Sequence, residues 1–243
     1  MDEELKMKVK YLQLPGLLAN WDAYLHQAAK SNFSAGRLLK HFVDEEYKIR
    51  RENSRKQRLR RAQIPEKLVL ETFPFERQPA LNKKKILALY DSFEYMLKNH
   101  NILWIGPTGA GKTGLAIAFL IQAIDRGYSG RFILFPELME KLFKSVADHS
   151  EEEVIATFAS YPILVIDEVG YVDVEPVQVG LFFTLMSKRH KKSTTLITTN
   201  LGFSEWGSFL KNDRLTAALI DRLTENTHVI NMNKCVSLRP KLH

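Results

Sequence analysis

The stretch WIGPTGAGKTGLA, residues 104–116, constrains the fold more than any other part of the chain. An apolar segment typical of a strand leads into a glycine-rich turn, and an apolar segment typical of a helix follows. Gly106 to Thr113 match the pattern G-x-x-x-x-G-K-[ST] at every fixed position. In this pattern, backbone N–H groups curl around phosphates and the helix N-terminus adds a favourable dipole. The stretch therefore predicts a nucleotide site.

Two side chains of this loop have specific expected tasks. Lys112 would reach the β- and γ-phosphates, and Thr113 would bind Mg²⁺. The predicted nucleotide-binding residues are Gly106, Pro107, Thr108, Gly109, Ala110, Gly111, Lys112, Thr113 and Gly114. A chance glycine-rich turn is the alternative, but the flanking strand and helix patterns are those that phosphate binding requires.

From about residue 84 the sequence alternates between strand and helix patterns. The predicted strands are NILWIG, RFILF, PILVID, TTLITTN and THVINM. PILVID is too continuously apolar to have a solvent-facing side, which favours a parallel sheet between helices. The alternation predicts an α/β domain with a doubly wound parallel sheet over residues 84–243.

The first 65 residues carry a different pattern and are predicted to form a small helical domain. Apolar residues fall on one helical face in two successive segments, which are Leu17, Leu18, Trp21, Leu25 and Ala28, then Leu38, Leu39, Phe42, Val43 and Tyr47. Residues 66–83 are predicted to form an irregular linker. They include the end of AQIPEK and the whole of FPFERQPALN.

A basic run, KIRRENSRKQRLRR, occupies residues 48–61 and holds eight Lys or Arg in fourteen positions. A helix that is polar all round cannot bury a face in its own core, so this run is solvated, disordered or meets an acidic partner. The formal net charge of +7 also favours a polyanion. The candidate residues for binding a polyanion such as DNA are Arg50, Arg51, Arg55, Lys56, Arg58, Arg60 and Arg61, with Lys141 and Lys144 from PELMEKLFKSV.

Acidic and amide side chains follow two predicted strands. Asp167 and Glu168 end ILVIDE at the carboxyl edge, where α/β sheets place their ligands. Asp167 suits Mg²⁺ binding, and Glu168 suits a general base that polarises water. Asn200 ends LITTN and can position that water, although an asparagine after a strand is otherwise often a turn residue. Solvated helix caps are the alternative for the paired acids.

Arg222 lies among the apolar positions of TAALIDRL. It is either a surface arginine paired with Asp221 or Asp213, or an arginine finger inserted into the nucleotide site of a neighbouring subunit. Its spacing alone leaves both interpretations open.

Other classes of protein are disfavoured by composition. The single cysteine, Cys235, excludes an internal disulfide and a cysteine-based metal cluster. MDEELKMKVK has no apolar signal region, and the longest apolar stretch, GLAIAFLIQAI, is about half the length needed to span a bilayer. We expect a cytoplasmic protein without a membrane partner.

The order of these motifs resembles the IstB family of transposition helper ATPases, which is close to the DnaC helicase loaders within the AAA+ class. The resemblance rests on NILWIGPTGAGKTGLA, LVIDEVGY, FFTLMSKRH, STTLITTNLGFSEWG and ALIDRL. It extends to LQLPGLLANWDAYL and RRENSRKQRLRRAQIP, so it covers nearly the whole chain. TTNLGFSEWG is far more specific than the phosphate-binding loop.

The resemblance implies an AAA+ ATPase that uses ATP and Mg²⁺, forms a homo-oligomer on double-stranded DNA and recruits a transposase. By position, Asn200 matches sensor 1 and Arg222 matches the arginine finger, while Lys112, Thr113, Asp167 and Glu168 match the two ATPase motifs. Gly114 stands where the family often has histidine, but no phosphate-binding group is absent. The tail SLRPKLH is too short for a full helical lid, and Arg239 within it is not assigned to the site.

Three alternatives to a transposition helper have different sequence requirements. A replicative helicase loader shares the ATPase core and differs in what the N-terminal helices bind. A small-molecule P-loop kinase is disfavoured by Glu168, Asn200, Arg222 and the missing lid. A DNA-binding module with a degenerate ATPase is disfavoured by intact Lys112, Asp167 and Glu168.

Overall fold

The computed structural model describes residues 1–239, which form two compact units that divide between Gln57 and Arg58. The first unit contains α1 (Glu3–Tyr11), α2 (Pro15–Lys30) and most of α3 (Ala35–Ala62). The second unit begins within α3 and contains the parallel sheet.

The three N-terminal helices are joined by a small core and by polar contacts at helix ends. Tyr24 is buried, and its ring lies 5.6 Å from that of Phe42. Glu46 is 7% exposed and accepts a hydrogen bond of 2.5 Å from the Leu17 N–H near the start of α2. The predicted apolar face of α3 is only partly covered, because Leu39, Val43 and Tyr47 are exposed.

Helix α3 is 28 residues long and carries the whole basic run as continuous helix. The Ser34 hydroxyl accepts a hydrogen bond from the Arg37 N–H at its start. The helix ends at Ala62, which is fully buried in the core of the second unit. The expected domain boundary is residue 65, whereas the compact units divide eight residues earlier, since the last turns of α3 pack with the sheet domain.

The predicted linker, residues 66–83, is irregular in backbone but packed. It forms two short 3₁₀ turns, Leu70–Thr72 and Phe75–Arg77. Leu70 and Leu81 are buried in the same core as Ala62, so this segment is part of the second unit and does not hang free between domains.

The second unit alternates strands and helices after α4 (Lys83–Ser92) and α5 (Glu94–Leu97). Its remaining elements are β1 (Asn101–Ile105), α6 (Lys112–Asp125), β2 (Gly130–Leu134), α7 (Phe135–Ala147), α8 (Glu151–Ser160), β3 (Ile163–Val169), α9 (Pro176–Arg189), β4 (Thr194–Thr199), α10 (Trp206–Leu210), α11 (Asp213–Thr224) and β5 (Thr227–Asn231). The strands pair in parallel in the order β2-β3-β4-β1-β5. The predicted α/β fold with a doubly wound parallel sheet is confirmed.

Apolar residues cover both faces of this sheet, as a parallel sheet between helices requires. Ile102 and Trp104 of β1 join one core cluster with α6, whereas Leu103 and Ile105 join the other with α7 and α9. Between Asn231 and Arg239 the chain has no helix. Among residues 1–239, no helix is long and apolar enough to cross a membrane.

A buried arginine fastens the helices on one side of the sheet. Arg189, the last residue of α9, is 1% exposed and donates to the Phe158 and Tyr161 carbonyls at 2.9 and 2.8 Å. It also donates to the carbonyl of Thr194 and the hydroxyl of Thr195 at the start of β4. Satisfying these carbonyls keeps the guanidinium from being buried without partners, and it ties the end of α8 to β4.

Candidate nucleotide site

The phosphate-binding loop joins β1 to α6 at the carboxyl edge of the sheet. Gly109 and Gly111 adopt φ values of +81° and +94°, which glycine reaches without a steric penalty. Gly111 is the residue directly before α6, so the loop delivers its N–H groups to the start of that helix. The Gly106 N–H donates to the Thr199 carbonyl at 3.1 Å and anchors the loop to β4.

The loop borders a cavity of 190 Å³ lined by Thr108, Gly109, Gly111, Lys112, Thr113, Glu168, Tyr171, Thr198 and Arg239. The Lys112 ammonium donates to the Gly106 and Pro107 carbonyls at 2.7 and 2.9 Å. Burial lowers the pKa of Lys112, while the charges of Asp167 and Glu168 raise it. The lysine therefore sits where a phosphate charge favours its protonated form.

Asp167 lies at the centre of a hydrogen-bond network. The Thr113 hydroxyl donates to its two carboxylate oxygens at 2.9 and 3.0 Å, and the Thr198 hydroxyl donates at 2.5 Å. Burial raises the pKa of Asp167, and these two hydroxyl donors lower it. The network brings the end of β3 against the first turn of α6.

The residues around Asp167 fit a hard divalent cation. The carboxylate of Asp167 and the hydroxyl of Thr113 are oxygen ligands of the kind that Mg²⁺ uses beside substrate phosphates. Residues 1–239 contain no cluster of three or more His, Cys, Asp or Glu side chains able to hold a metal without such phosphates.

Glu168 reaches the cavity because β3 contains an irregularity. Three steps along β3, from Ile166 to Val169, match two steps along β4, so one residue is extra. Glu168 takes a φ of +62°, which costs a non-glycine residue about 1–2 kcal/mol. In a regular strand, Asp167 and Glu168 would point to opposite faces, whereas here both line or border one cavity.

Thr198 is a site residue that the sequence reasoning missed. Its hydroxyl accepts a hydrogen bond of 3.0 Å from the Glu168 N–H while it donates to Asp167. One side chain thus contacts the carboxylate of Asp167 and the backbone of Glu168. Its position near the carboxyl end of the strand that precedes Asn200 was the available indication in the sequence.

Asn200 lies just beyond β4 and is exposed. It is not among the residues that line the cavity within the described chain. Its side-chain oxygen lies 3.3 Å from the position that a Cβ atom on Gly170 would occupy. The structure therefore places Asn200 beside the turn that follows β3.

Two further cavity residues were not assigned from the sequence. The Tyr171 hydroxyl lies 2.9 Å from the Thr108 hydroxyl and links the segment after β3 to the phosphate-binding loop. Arg239 also lines the cavity, and its charge lowers the pKa of Lys112. Two cations therefore face the same space.

Arg222 does not line this cavity in its own chain. Its guanidinium carbon lies 4.4 Å from the ring centre of Phe183 on α9. Within residues 1–239 it forms no ion pair with Asp213 or Asp221, and its buried Nη1 atom has no hydrogen-bond partner.

The candidate DNA-binding residues on α3 differ in how freely they face solvent. Arg50 donates to the Leu12 and Gln13 carbonyls after α1, and Glu52 pairs with both Arg55 and Lys56. Arg58 is half-buried, whereas Arg51, Arg60 and Arg61 are exposed.

Lys141 and Lys144 lie elsewhere, on α7. They are exposed and border a second cavity of 420 Å³ that Arg131 also lines. Lys144 pairs with Glu140 at 2.5 Å, one helical turn earlier.

Comparison of the sequence with known proteins identifies a family that matches it. The family model described as "IstB-like ATP binding protein" matches residues 7–242. A putative ATP-binding protein of insertion sequence IS21 from Pseudomonas aeruginosa is 29% identical over 94% of this chain and 86% of its own length. The corresponding protein of IS5376 from Geobacillus stearothermophilus is 28% identical over 96% and 92%.

Solved structures show the same fold at lower sequence identity. DnaI is 19% identical, with a TM-score of 0.58 over 68% of this chain and 91% of that chain. AMPPCP-bound DnaA from Aquifex aeolicus is 16% identical, with a TM-score of 0.55 over 70% and 51%. These likenesses show that the chain shares the fold of DnaI and DnaA, and the family match extends over nearly the whole chain. The chain therefore belongs to the IstB-like ATP-binding protein family.

Proposed function

We propose that this chain hydrolyses ATP and uses ATP to assemble as a homo-oligomer on double-stranded DNA, where it recruits a transposase. The observation that carries the proposal is that the phosphate-binding loop and Glu168 line one cavity, while Asp167 accepts a hydrogen bond from the cavity-lining Thr113. Relatives named as insertion-sequence ATP-binding proteins support transposition as the process. We propose that it acts in the cytoplasm.

Different residues of the chain have different roles in the proposed hydrolysis. The loop N–H groups, Lys112 and Arg239 hold the phosphates of ATP, while Glu168 accepts a proton from the attacking water. Thr113 and Asp167 hold Mg²⁺, which supplies positive charge against the phosphate oxygens when bound. Thr198 keeps the two acids in register through its paired hydrogen bonds.

Asn200 and Arg222 complete the proposed catalytic set. Asn200 stands at the end of β4, from where an amide can orient the water that Glu168 activates. Arg222 acts on the nucleotide of a neighbouring subunit, for which its guanidinium must turn away from Phe183. Among the described residues Arg222 pairs with neither Asp213 nor Asp221, so it has no ion pair to break before it contacts that nucleotide.

DNA binding is assigned to the basic run on α3, with Lys141 and Lys144 as further phosphate contacts. Exposed Arg51, Arg60 and Arg61 are the residues best placed to release counterions from the duplex. Arg50 contributes less directly, since its guanidinium holds the end of α1.

A replicative helicase loader is the second candidate function, because DnaC and DnaI share the fold. That likeness concerns the ATPase core alone. The two functions differ in the partner protein, and capture of a transposase rather than a replicative helicase by the purified protein tests the choice.

The first prediction concerns Glu168. We expect Glu168→Gln to retain ATP binding and to lose hydrolysis by about 100-fold or more, because an amide cannot accept the proton. Lys112→Ala, by contrast, is expected to abolish ATP binding. Phosphate release and binding of a fluorescent ATP analogue measure the two properties. Glu152→Gln, an exposed glutamate of α8, is the matched control. Equal hydrolysis by wild type and Glu168→Gln would show that another group activates the water.

The second prediction concerns the exposed arginines of α3. Replacing Arg51, Arg60 and Arg61 with Ala is expected to weaken binding to all duplex sequences alike, because phosphate contacts carry little sequence information. The slope of log K against log salt should fall by up to about 0.9 for each phosphate that the protein no longer neutralises. Filter binding at several salt concentrations measures both.

The control for this variant replaces three exposed lysines elsewhere, Lys6, Lys8 and Lys98, with Ala. It removes the same formal charge, so it accounts for the change in the long-range field of the protein. If both triple variants lower the salt slope equally, the basic run is only a solvated face.

The third prediction concerns Arg222. We expect Arg222→Ala to bind ATP but to hydrolyse it about 1000-fold more slowly, as arginine fingers in related sites do. Arg214→Ala, an exposed arginine on the same helix, is the control. Mixing Arg222→Ala with Lys112→Ala should restore part of the hydrolysis, because each subunit supplies the group that the other lacks. Full activity of Arg222→Ala alone would remove Arg222 from the catalytic set.

A further inference from the structure

The segment after β5 runs along the outer side of the phosphate-binding loop. The Met232 N–H donates to the Ile105 carbonyl at 2.6 Å, and the Leu238 N–H donates to the Gly109 carbonyl at 2.8 Å. A Cβ atom on Gly106 would lie 2.7 Å from that of Met232. The loop glycines therefore serve two approaches, that of phosphate on one side and that of residues 232–239 on the other.

One buried amide holds this segment to the loop. Gln78 is 1% exposed, and its Nε2 atom donates to the Val236 carbonyl at 2.7 Å and the Ala110 carbonyl at 3.1 Å. Its Oε1 atom accepts from the Val236 N–H at 3.0 Å. The side chain thus uses both amide protons and its oxygen to join two segments far apart in sequence.

The connection leads directly to the cavity. Arg239 lies three residues beyond Val236 and lines the space beside Lys112. The Leu238 N–H bond to Gly109 lies between the two, so residues 236–239 are fixed to the loop at two points of this short span. The position of Arg239 then depends on how firmly Val236 is held.

We propose that Gln78 is a positioning residue for ATP binding: its buried amide ties Val236 to the phosphate-binding loop and so holds Arg239 in the cavity. The proposal rests on the proposed function, in that ATP is the ligand. Gln78 itself does not line the cavity, and it acts only through its two backbone partners. Glutamine is required because a carboxylate cannot donate to the Val236 and Ala110 carbonyls, and an apolar residue can neither donate nor accept.

The test is Gln78→Glu, which keeps the shape and removes the donors. We expect its affinity for a fluorescent ATP analogue to fall about tenfold relative to wild type at about pH 8. At about pH 5.5 the ratio should recover at least about threefold, because burial raises the carboxyl pKa and a protonated carboxyl donates again. Gln27→Glu, an exposed glutamine of α2, is the control at both pH values.

Thermal unfolding of the same variants separates positioning from folding. A lower unfolding temperature with unchanged affinity at both pH values would overturn the proposal, as would a loss of affinity that does not respond to pH. Failure of the wild type itself to bind the analogue would instead count against ATP as the ligand, so the two failures are distinguishable.

A second pair of variants approaches the contact from its other end. Val236 is 58% exposed, so Val236→Ala is expected to bind ATP like wild type. Val236→Pro lacks the N–H that donates to Gln78, and it is expected to bind ATP more weakly. Equal affinities for Val236→Ala and Val236→Pro would contradict the proposal.

A double-mutant cycle tests the route through Arg239. If Gln78 acts by holding Arg239, then Gln78→Glu should reduce ATP affinity less in an Arg239→Ala background than in wild type. Strictly additive effects would show that the two residues act independently and would overturn the proposed route.

Discussion

The rest of the site depends on the hydrogen bonds that the buried carboxylate of Asp167 accepts. Asp167 is 2% exposed, and burying an ionised carboxyl is unfavourable unless hydrogen bonds replace its water. Thr113 from α6 and Thr198 from β4 supply those bonds, so one group joins the loop helix to two neighbouring strands. The same threonine on β4 receives the Glu168 N–H where β3 carries its extra residue. The strained backbone at Glu168 is therefore held by the contact that orients Asp167.

The phosphate-binding loop is braced on its outer side as well. Residues 232–239 pack against it through backbone hydrogen bonds, and Gln78 fastens them from a segment that lies before the sheet domain's first strand. The loop is therefore contacted on one side by the Asp167 network and on the other by residues 232–239, and its glycines leave room for both. A structure of this kind binds phosphate with groups already in place, which lowers the ordering cost of binding.

The parts of the fold that could be predicted from the sequence are those determined by local residue patterns. The strand, loop and helix of residues 104–116 and the alternation after residue 84 each follow from neighbouring residues alone. Thr198, Tyr171 and Arg239 were not assigned, because their places depend on strand pairing, an extra residue in β3 and the path after β5. Asn200 and Arg222 remain proposals, since the first is exposed beside the cavity-lining Thr198 and the second requires a neighbouring subunit.

We propose that ATP binding drives assembly of this chain on DNA. Sedimentation of the wild-type protein with short duplex DNA, with and without a non-hydrolysable ATP analogue, tests it most directly. We expect a large protein–DNA complex only when the analogue is present, because in the proposed assembly a nucleotide held by Lys112 in one subunit must meet Arg222 of the next. A protein that sediments as a monomer under every condition, or that forms the same complex without nucleotide, would show that ATP does not drive assembly.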